Sequence, residues 1–256
     1  MLRAMLVYAH RGAAIELPEN TLPSFRRAIE LGADALETDV HLTRDGEIVA
    51  VHDPDGRRIA GVDRRVAETS LREVQAWDAG FAFVDTNGAR PFLGKGYRIP
   101  TLDQLLSELP EVTLNVDLKD EQPALVDRFI EVVRGHRAEE RVIGASFQQA
   151  TLERLRACGY RGQTSLARRE FLHCWLVPAW LRRGGPPGNR AQIPTHVGPF
   201  SIATRRTVDK LHTLGLGVDY WTVNDPDMVP RLLEIGADGI MPDDPGRIVP
   251  AVRAAS

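Results

Sequence analysis

Short apolar runs alternate along this chain with segments whose apolar positions recur at helical spacing. Residues 5–9 read as a strand, and residues 22–31 (LPSFRRAIEL) as an amphipathic helix stopped by Gly32. Residues 35–42 and 48–52 read as two strands joined by a tight reversal at Arg44-Asp45-Gly46-Glu47, because Asp-Gly favours such a turn. Residues 101–109 follow as a helix with a threonine N-cap, 112–118 as a strand and 123–134 as a helix. Strands at 142–146, 163–167, 216–223 and 239–241 continue the series, with helices at 150–157, 207–214 and 227–235 between them. Strand followed by helix, repeated for most of the chain, predicts an α/β fold with a parallel sheet. The number of units and the length of 256 residues favour a (β/α)8 TIM barrel over an open sheet.

Two segments break this rhythm. Residues 54–98 separate a strand from the next helix and carry many glycines and aromatics, among them Trp77, Phe81, Phe83, Phe92 and Tyr97. That is too long for a plain loop and predicts a small inserted subdomain or lid within one domain spanning residues 1–256. Residues 171–189 (FLHCWLVPAWLRRGGPPGN) form an apolar patch ending in two arginines and a Gly/Pro turn. Pro178 should interrupt any helix there, so a lid or core segment is expected.

Composition narrows the class. A hydrophobic fraction of 43% with 26% charged residues is ordinary for a globular protein and excludes disorder, collagen and coiled coil. A net charge of −3 provides no global basic field for nucleic acid, although a local anion pocket remains open. Cys158 and Cys174 lack CxxC spacing and read as reduced bystander thiols. The opening MLRAMLVYAHRG reads as a first strand rather than a signal peptide. No run approaches the roughly 18 apolar residues of a spanning helix, so no stable membrane insertion and a cytoplasmic location are expected.

The chemistry sits on the strands. In Leu36-Glu37-Thr38-Asp39-Val40-His41-Leu42, side chains alternate between faces, so Glu37, Asp39 and His41 oppose Leu36, Val40 and Leu42. Asn115, Asp117 and Lys119 share a face in the same way. In a parallel barrel the apolar face meets the helices, which turns these carboxylates inward, where uncompensated charges would cost several kcal/mol each. The bland alternative is a pair of antiparallel strands with one wet face, which the strand–helix alternation disfavours. Three inward carboxylates suggest one hard divalent cation, Mg2+ or Ca2+, with Mn2+ a further candidate. His10 and His52 end predicted strands, where barrel enzymes build their sites, and can serve as general acid and base. Arg11 beside His10 should lower its pKa and favour it slightly as the base. Arg11 and Lys119 suit phosphate oxygens, while Arg11 could also pair with Glu19. Trp221 suits either the barrel top or the core. His41, His136, His173, His196 and His212 read as surface or packing residues, and Gly12 and Gly239 as turn glycines. No GxGxxG or GxxxxGK[ST] is present, which counts against dinucleotide or nucleoside triphosphate binding.

His10-Arg11-Gly12, Pro18-Glu19-Asn20-Thr21, Gly32-Ala33-Asp34 before Glu37-x-Asp39, the Asp45-Gly46 turn and His52-Asp53 stand in a telling order. Ile99-Pro100-Thr101-Leu102, Asn115-x-Asp117-x-Lys119, Ser146-Phe147, Trp221-Thr222-Val223-Asn224 and Gly236-Ala237-Asp238-Gly239-Ile240 continue it. By this ordered set the chain resembles the glycerophosphodiester phosphodiesterases over nearly its whole length. The resemblance implies a TIM barrel with residues 54–98 inserted, and a divalent-cation site at Glu37, Asp39 and Asp117. It implies His10 and His52 as the acid–base pair and Arg11 and Lys119 near the phosphate, with Trp221 against the glycerol carbons. The implied substrate is a small glycerophosphodiester, cleaved to sn-glycerol 3-phosphate and an alcohol. The family commonly carries glutamate where this chain has Asp117, so the shorter side chain would reach the ion through a water or after a small shift. Two alternatives accompany this expectation. One is a lysophospholipase D- or phospholipase C-type enzyme at a lipid interface, suggested by Trp175 and Trp180 beside Arg182 and Arg183. The other is a non-catalytic phosphodiester-binding barrel, against which both histidines and all three acids count.

Overall fold

In the computed structural model, which describes residues 5–178, 181 and 184–255, the strand–helix alternation closes on itself. In chain order the elements are β1 (Leu6–His10), α1 (Leu22–Glu30), β2 (Ala35–Leu42), β3 (Ile48–Ala50), α2 (Arg57–Ala60), α3 (Leu71–Val74) and α4 (Leu102–Glu108). There follow β4 (Thr113–Leu118), α5 (Pro123–Gly135), β5 (Val142–Ala145), α6 (Gln149–Ala157), α7 (Arg168–Leu176) and β6 (Arg190–Pro194). The chain ends with β7 (His196–Val197), β8 (Phe200–Ser201), α8 (Arg205–His212), β9 (Gly217–Trp221), α9 (Val229–Glu234), β10 (Gly239–Met241) and α10 (Pro245–Ala255). Seven strands lie side by side and parallel in the order β5-β4-β2-β1-β10-β9-β6. Thr164 bridges to Gly144 on β5 and Ser165 to Arg190 on β6, both parallel, which closes the ring with an eighth, minimal member. The result is the (β/α)8 barrel, with the strand expected at 163–167 reduced to two bridged residues.

Burial explains which side chains face where. Leu36, Val40, Leu114, Val116 and Leu118 point outward and pack with Phe25, Leu102, Leu105, Phe129 and Leu155 from the helices. Val7, Ala191, Ile193, Val218, Tyr220 and Ile240 do the same against Val208, Leu211, Leu232, Ile248 and Val252. The alternating polar residues are thereby turned into the barrel. Local signals set the helix starts. Thr21 accepts the Ser24 N–H ahead of α1, and Thr101 forms a reciprocal capping box with Gln104 at α4.

Several expectations need correction. The reversal expected at residues 44–47 does form, pairing β3 antiparallel with the end of β2, Val40 facing Ala50 and Leu42 facing Ile48, but this leaves β3 a hairpin arm and not a barrel strand. The segment expected as a lid or core segment begins within α7, which stops at Leu176 before Pro178 and buries Phe171 and Cys174 in the core. β6 and α10 were not foreseen. Trp180, Arg182 and Arg183 lie outside the described residues. Gly239 is not a turn glycine but sits inside β10, where a Cβ would lie 2.4 Å from Asp219 Oδ1 and 2.7 Å from Tyr8 Cε2. Asp219 is fully buried there, gripped by both the Nε and Nη2 of Arg190. Residues 54–98 hold α2 and α3 around a separate buried cluster of Val49, Val51, Ile59, Val66, Val74, Trp77, Ala79 and Ile99, seated on the hairpin. Cys158 is exposed and Cys174 buried. Among the described residues no helix is long and apolar enough to cross a membrane.

Candidate active site

Strand register assembles the polar residues at the C-terminal end of the barrel. β1 and β2 set His10 beside Glu37, and β2 and β4 set Glu37 beside Asn115 and Asp39 beside Asp117. His10, Arg11, Glu37, Asp39, His52, Asp117, Lys119 and Trp221, the whole set expected from sequence, line one cavity of about 200 Å³. His52 arrives there from the β2–β3 hairpin rather than from a barrel strand. Trp221 is half-buried and meets Phe147 edge-on at 5.6 Å, so it both closes the barrel top and faces the cavity.

The backbone at Arg11 takes a left-handed conformation (φ 58°), and Gly12 follows at φ 87° with Ser24 Oγ only 2.5 Å from where a Cβ would stand. This turn sets Arg11 Nε 3.0 Å from Asp39 Oδ2 and its Nη1 3.3 Å from Glu19 Oε1. The pairing with Glu19 therefore forms alongside the placement in the cavity. Lys119 Nζ bridges Asp39 Oδ1 at 2.7 Å and Asp117 Oδ2 at 2.6 Å. Burial opposes the charge on Asp39, but Lys119 and Arg11 outweigh it and hold its pKa down. For Glu37 the help of His10 and Arg11 is not enough. Burial, with the Asp39 charge added, pushes it up to about 8. Asp117 is also raised, because burial exceeds the help from Lys119.

Among the described residues, no group of three or more His, Cys, Asp or Glu side chains stands ready-made to hold a metal ion. The donor chemistry nevertheless fits a hard divalent cation. Three carboxylates line the one cavity, Asp117 Oδ1 is buried with no hydrogen-bond partner, and burial with the Asp39 charge leaves Glu37 short of positive charge.

The two histidines are each oriented by an acid. His10 Nδ1 lies 2.5 Å from Asp243 Oδ1, and its Nε2 faces Glu37 Oε2 at 3.8 Å. Burial disfavours the charged ring, but Glu37 and Asp243 overcome both burial and Arg11, so the pKa of His10 is raised. This reverses the expectation drawn from Arg11 alone. Asp243 was missed in the sequence. It is clamped by Asn224, whose Nδ2 donates to Asp243 Oδ2 at 2.6 Å and whose Oδ1 accepts the Asp243 N–H at 2.8 Å. Its place just beyond β10, at the C-terminal end of a barrel strand, was the available signal. His52 Nδ1 lies 2.7 Å from Asp53 Oδ1. Arg58, on α2, reaches Asp53 and also grips Glu19 at 2.9 and 2.7 Å, linking residues 54–98 to both sides of the cavity. Gln192 Nε2 donates to Asn115 Oδ1 at 2.8 Å and joins the lining from β6.

Known proteins match this arrangement along its length. The sequence model of the glycerophosphoryl diester phosphodiesterase family matches residues 10–247. A glycerophosphodiester phosphodiesterase of Caldanaerobacter subterraneus is 31% identical, over 97% of this chain and 98% of that protein. The fold is shared with a glycerophosphoryl diester phosphodiesterase domain from Mycobacterium tuberculosis (TM-score 0.83, 21% identity, 98% of this chain and 99% of that one). It is shared also with an Oleispira antarctica phosphodiesterase solved with its product sn-glycerol-3-phosphate (TM-score 0.79, 24% identity, 97% and 96% covered). With a family match from His10 to Arg247 and a relative aligned end to end at this identity, the chain belongs to the glycerophosphoryl diester phosphodiesterase family.

Proposed function

We propose that this protein is a cation-dependent glycerophosphodiester phosphodiesterase that releases sn-glycerol 3-phosphate and an alcohol. The observation that carries this is the meeting of two acid-oriented histidines, Arg11, Lys119 and three buried carboxylates in one cavity of a chain in this family. Glu37, Asp39 and Asp117 would hold the cation, Mg2+ or Ca2+ with Mn2+ a further candidate. When bound it would supply charge neutralisation at a phosphate oxygen. Arg11 and Lys119 bring N–H donors to the remaining oxygens and to the charge that develops as the nucleophile approaches. Asp243, paired with Nδ1, and the nearby Glu37 raise the affinity of His10 for a proton, which suits it to protonate the departing alcohol oxygen. His52, its Nδ1 engaged by Asp53, then has Nε2 to take the proton of the nucleophile, either a water or the 2-hydroxyl of the substrate itself; in the second case the cyclic phosphodiester that forms is opened by a water, with the two histidines exchanging roles, to give sn-glycerol 3-phosphate. Trp221 offers its ring to the glycerol carbons. Residues 54–98 act as an inserted subdomain of a single domain, with Arg58 its contact to the site.

A panel of glycerophosphodiesters, followed by sn-glycerol 3-phosphate release, tests this. Release should stop with a chelator and return with Mg2+, Ca2+ or Mn2+. No release from any diester with cation present, or full activity after exhaustive chelation, would count against it.

The cavity mouth favours a second substrate class. Phe147, which lines the cavity, is 60% exposed. Such a rim suits the acyl chain of a lysophospholipid, whose phosphodiester would occupy the same site. Phe147→Ser should then raise KM for lysophosphatidylcholine more than that for glycerophosphocholine. Equal effects on both would remove this second class.

A further inference from the structure

We infer that His41, with Asp120 behind it, is a positioning residue for His52. His41 is buried on β2, two residues beyond Asp39. The ladder between β2 and the returning strand ends where the Val51 N–H meets the Asp39 carbonyl at 2.9 Å. Beyond that bond the chain bends, and the His52 carbonyl is taken by a side chain: His41 Nε2 lies 3.1 Å from it. On its other edge His41 Nδ1 is 2.7 Å from Asp120 Oδ1, while Asp120 Oδ2 accepts the Leu42 N–H at 3.0 Å. Asp120 is thus pinned to β2, the ring is pinned to Asp120, and the ring in turn holds the His52 carbonyl. That carbonyl belongs to the residue whose imidazole faces the cavity. With Asp53 orienting the ring from one side, His41 holds the main chain from which the ring projects. A misplacement near 1 Å can cost about 100-fold in rate, so this support bears on turnover.

The inference rests on the proposed role of His52, and the test separates the two. Gln reproduces the position of Nε2 and keeps a donor for the His52 carbonyl, whereas Asn reproduces Nδ1 and keeps only the Asp120 bond. In a glycerophosphodiester assay, His41→Asn should lose about 10- to 100-fold in kcat with KM little changed, and His41→Gln should recover most of it. Asp120→Ala, which removes the bonds to both His41 and Leu42, should lose kcat in the same direction, and it serves where His41→Asn fails to fold. The 15N spectrum of the His52 ring gives a readout that does not need activity. The signal should stay single in wild type and His41→Gln, and broaden or shift in His41→Asn or Asp120→Ala. Equal kcat in His41→Gln and His41→Asn, or an unchanged His52 signal in folded His41→Asn or Asp120→Ala, would overturn the inference. A wild type inactive on every diester whose His52 ring still responds would instead overturn the proposed chemistry and leave the positioning standing.

Discussion

Glu37 is the group whose charge should report cation binding. Burial and Asp39 push it up to about 8, yet a carboxylate must be ionised to hold a hard cation. Below that pH each ion entering the site has to displace a proton, so affinity weakens as pH falls. With one such proton, the apparent Kd at pH 6 should be about 50-fold weaker than at pH 8, or about 2.3 kcal/mol. Isothermal titration with Mg2+ or Ca2+ at pH 6, 7 and 8, in buffers of unlike ionisation enthalpy, measures both the affinity and the proton released. Glu37→Gln should bind more weakly and lose most of the slope, keeping only the part that His10, also raised, contributes. A wild-type affinity that is constant from pH 6 to 8 refutes the reasoning. Folding carries the same linkage with no cation bound. Between its ordinary 4.5 and about 8, folded Glu37 keeps a proton that the unfolded chain has released. Its contribution to stability is therefore intact below the ordinary value and declines as pH rises through that window.

Three other outcomes are expected. His10→Ala and His52→Ala should each lower kcat by roughly 10²–10⁴-fold while circular dichroism and Tm stay near wild type; near-normal turnover by either folded variant removes that residue from the mechanism. Asp117→Glu should keep or raise cation affinity, whereas Asp117→Asn should lose at least roughly the 10-fold that an outer-sphere change costs; equal Kd values for all three proteins would withdraw Asp117 from the site. Gly239→Ala would drive a methyl into Asp219 and Tyr8, costing about 1–3 kcal/mol and lowering Tm by about 2–4 °C per kcal/mol, and an unmoved Tm would mean that this pair yields freely.

Alternation made the carboxylate strand legible: residues 35–42 were expected from their pattern, and β2 has those bounds. The same logic reached His10, Asp117 and Lys119, because each lies on or just past a strand whose apolar partners mark its faces. It did not reach β6. That strand is five residues long, only Ala191 and Ile193 are fully buried, and a polar barrel interior takes up Arg190 and Gln192. α10 was hidden by Pro245 and Pro250, which speak locally against a helix, although Ile248, Val249 and Val252 bury a full face. His52 was placed at the right end of the barrel for an incorrect reason, since an antiparallel hairpin and not a barrel strand delivers it. The bond from His41 to His52 was out of reach, and Asp243 could be suspected from its place just beyond β10 but not paired with His10. Each depends on two segments meeting in three dimensions, and no local periodicity encodes that.

The pairing of β1 with β10 ties the first strand to the last, and His10 to Asp243 across 233 positions. A ribosome adding about 5–20 residues per second completes His10 and its neighbours tens of seconds before the acid that orients it. Until β10 emerges, Tyr8 has no Gly239 to pack against and β1 is an open sheet edge carrying Met5 and Val7 uncovered. A nascent or prematurely ended chain would therefore hold the cation-site carboxylates of β2 and β4 without an oriented His10. Competence to turn over substrate would wait for β10 and Asp243, so that catalysis itself reports that the first and last strands of the barrel have met.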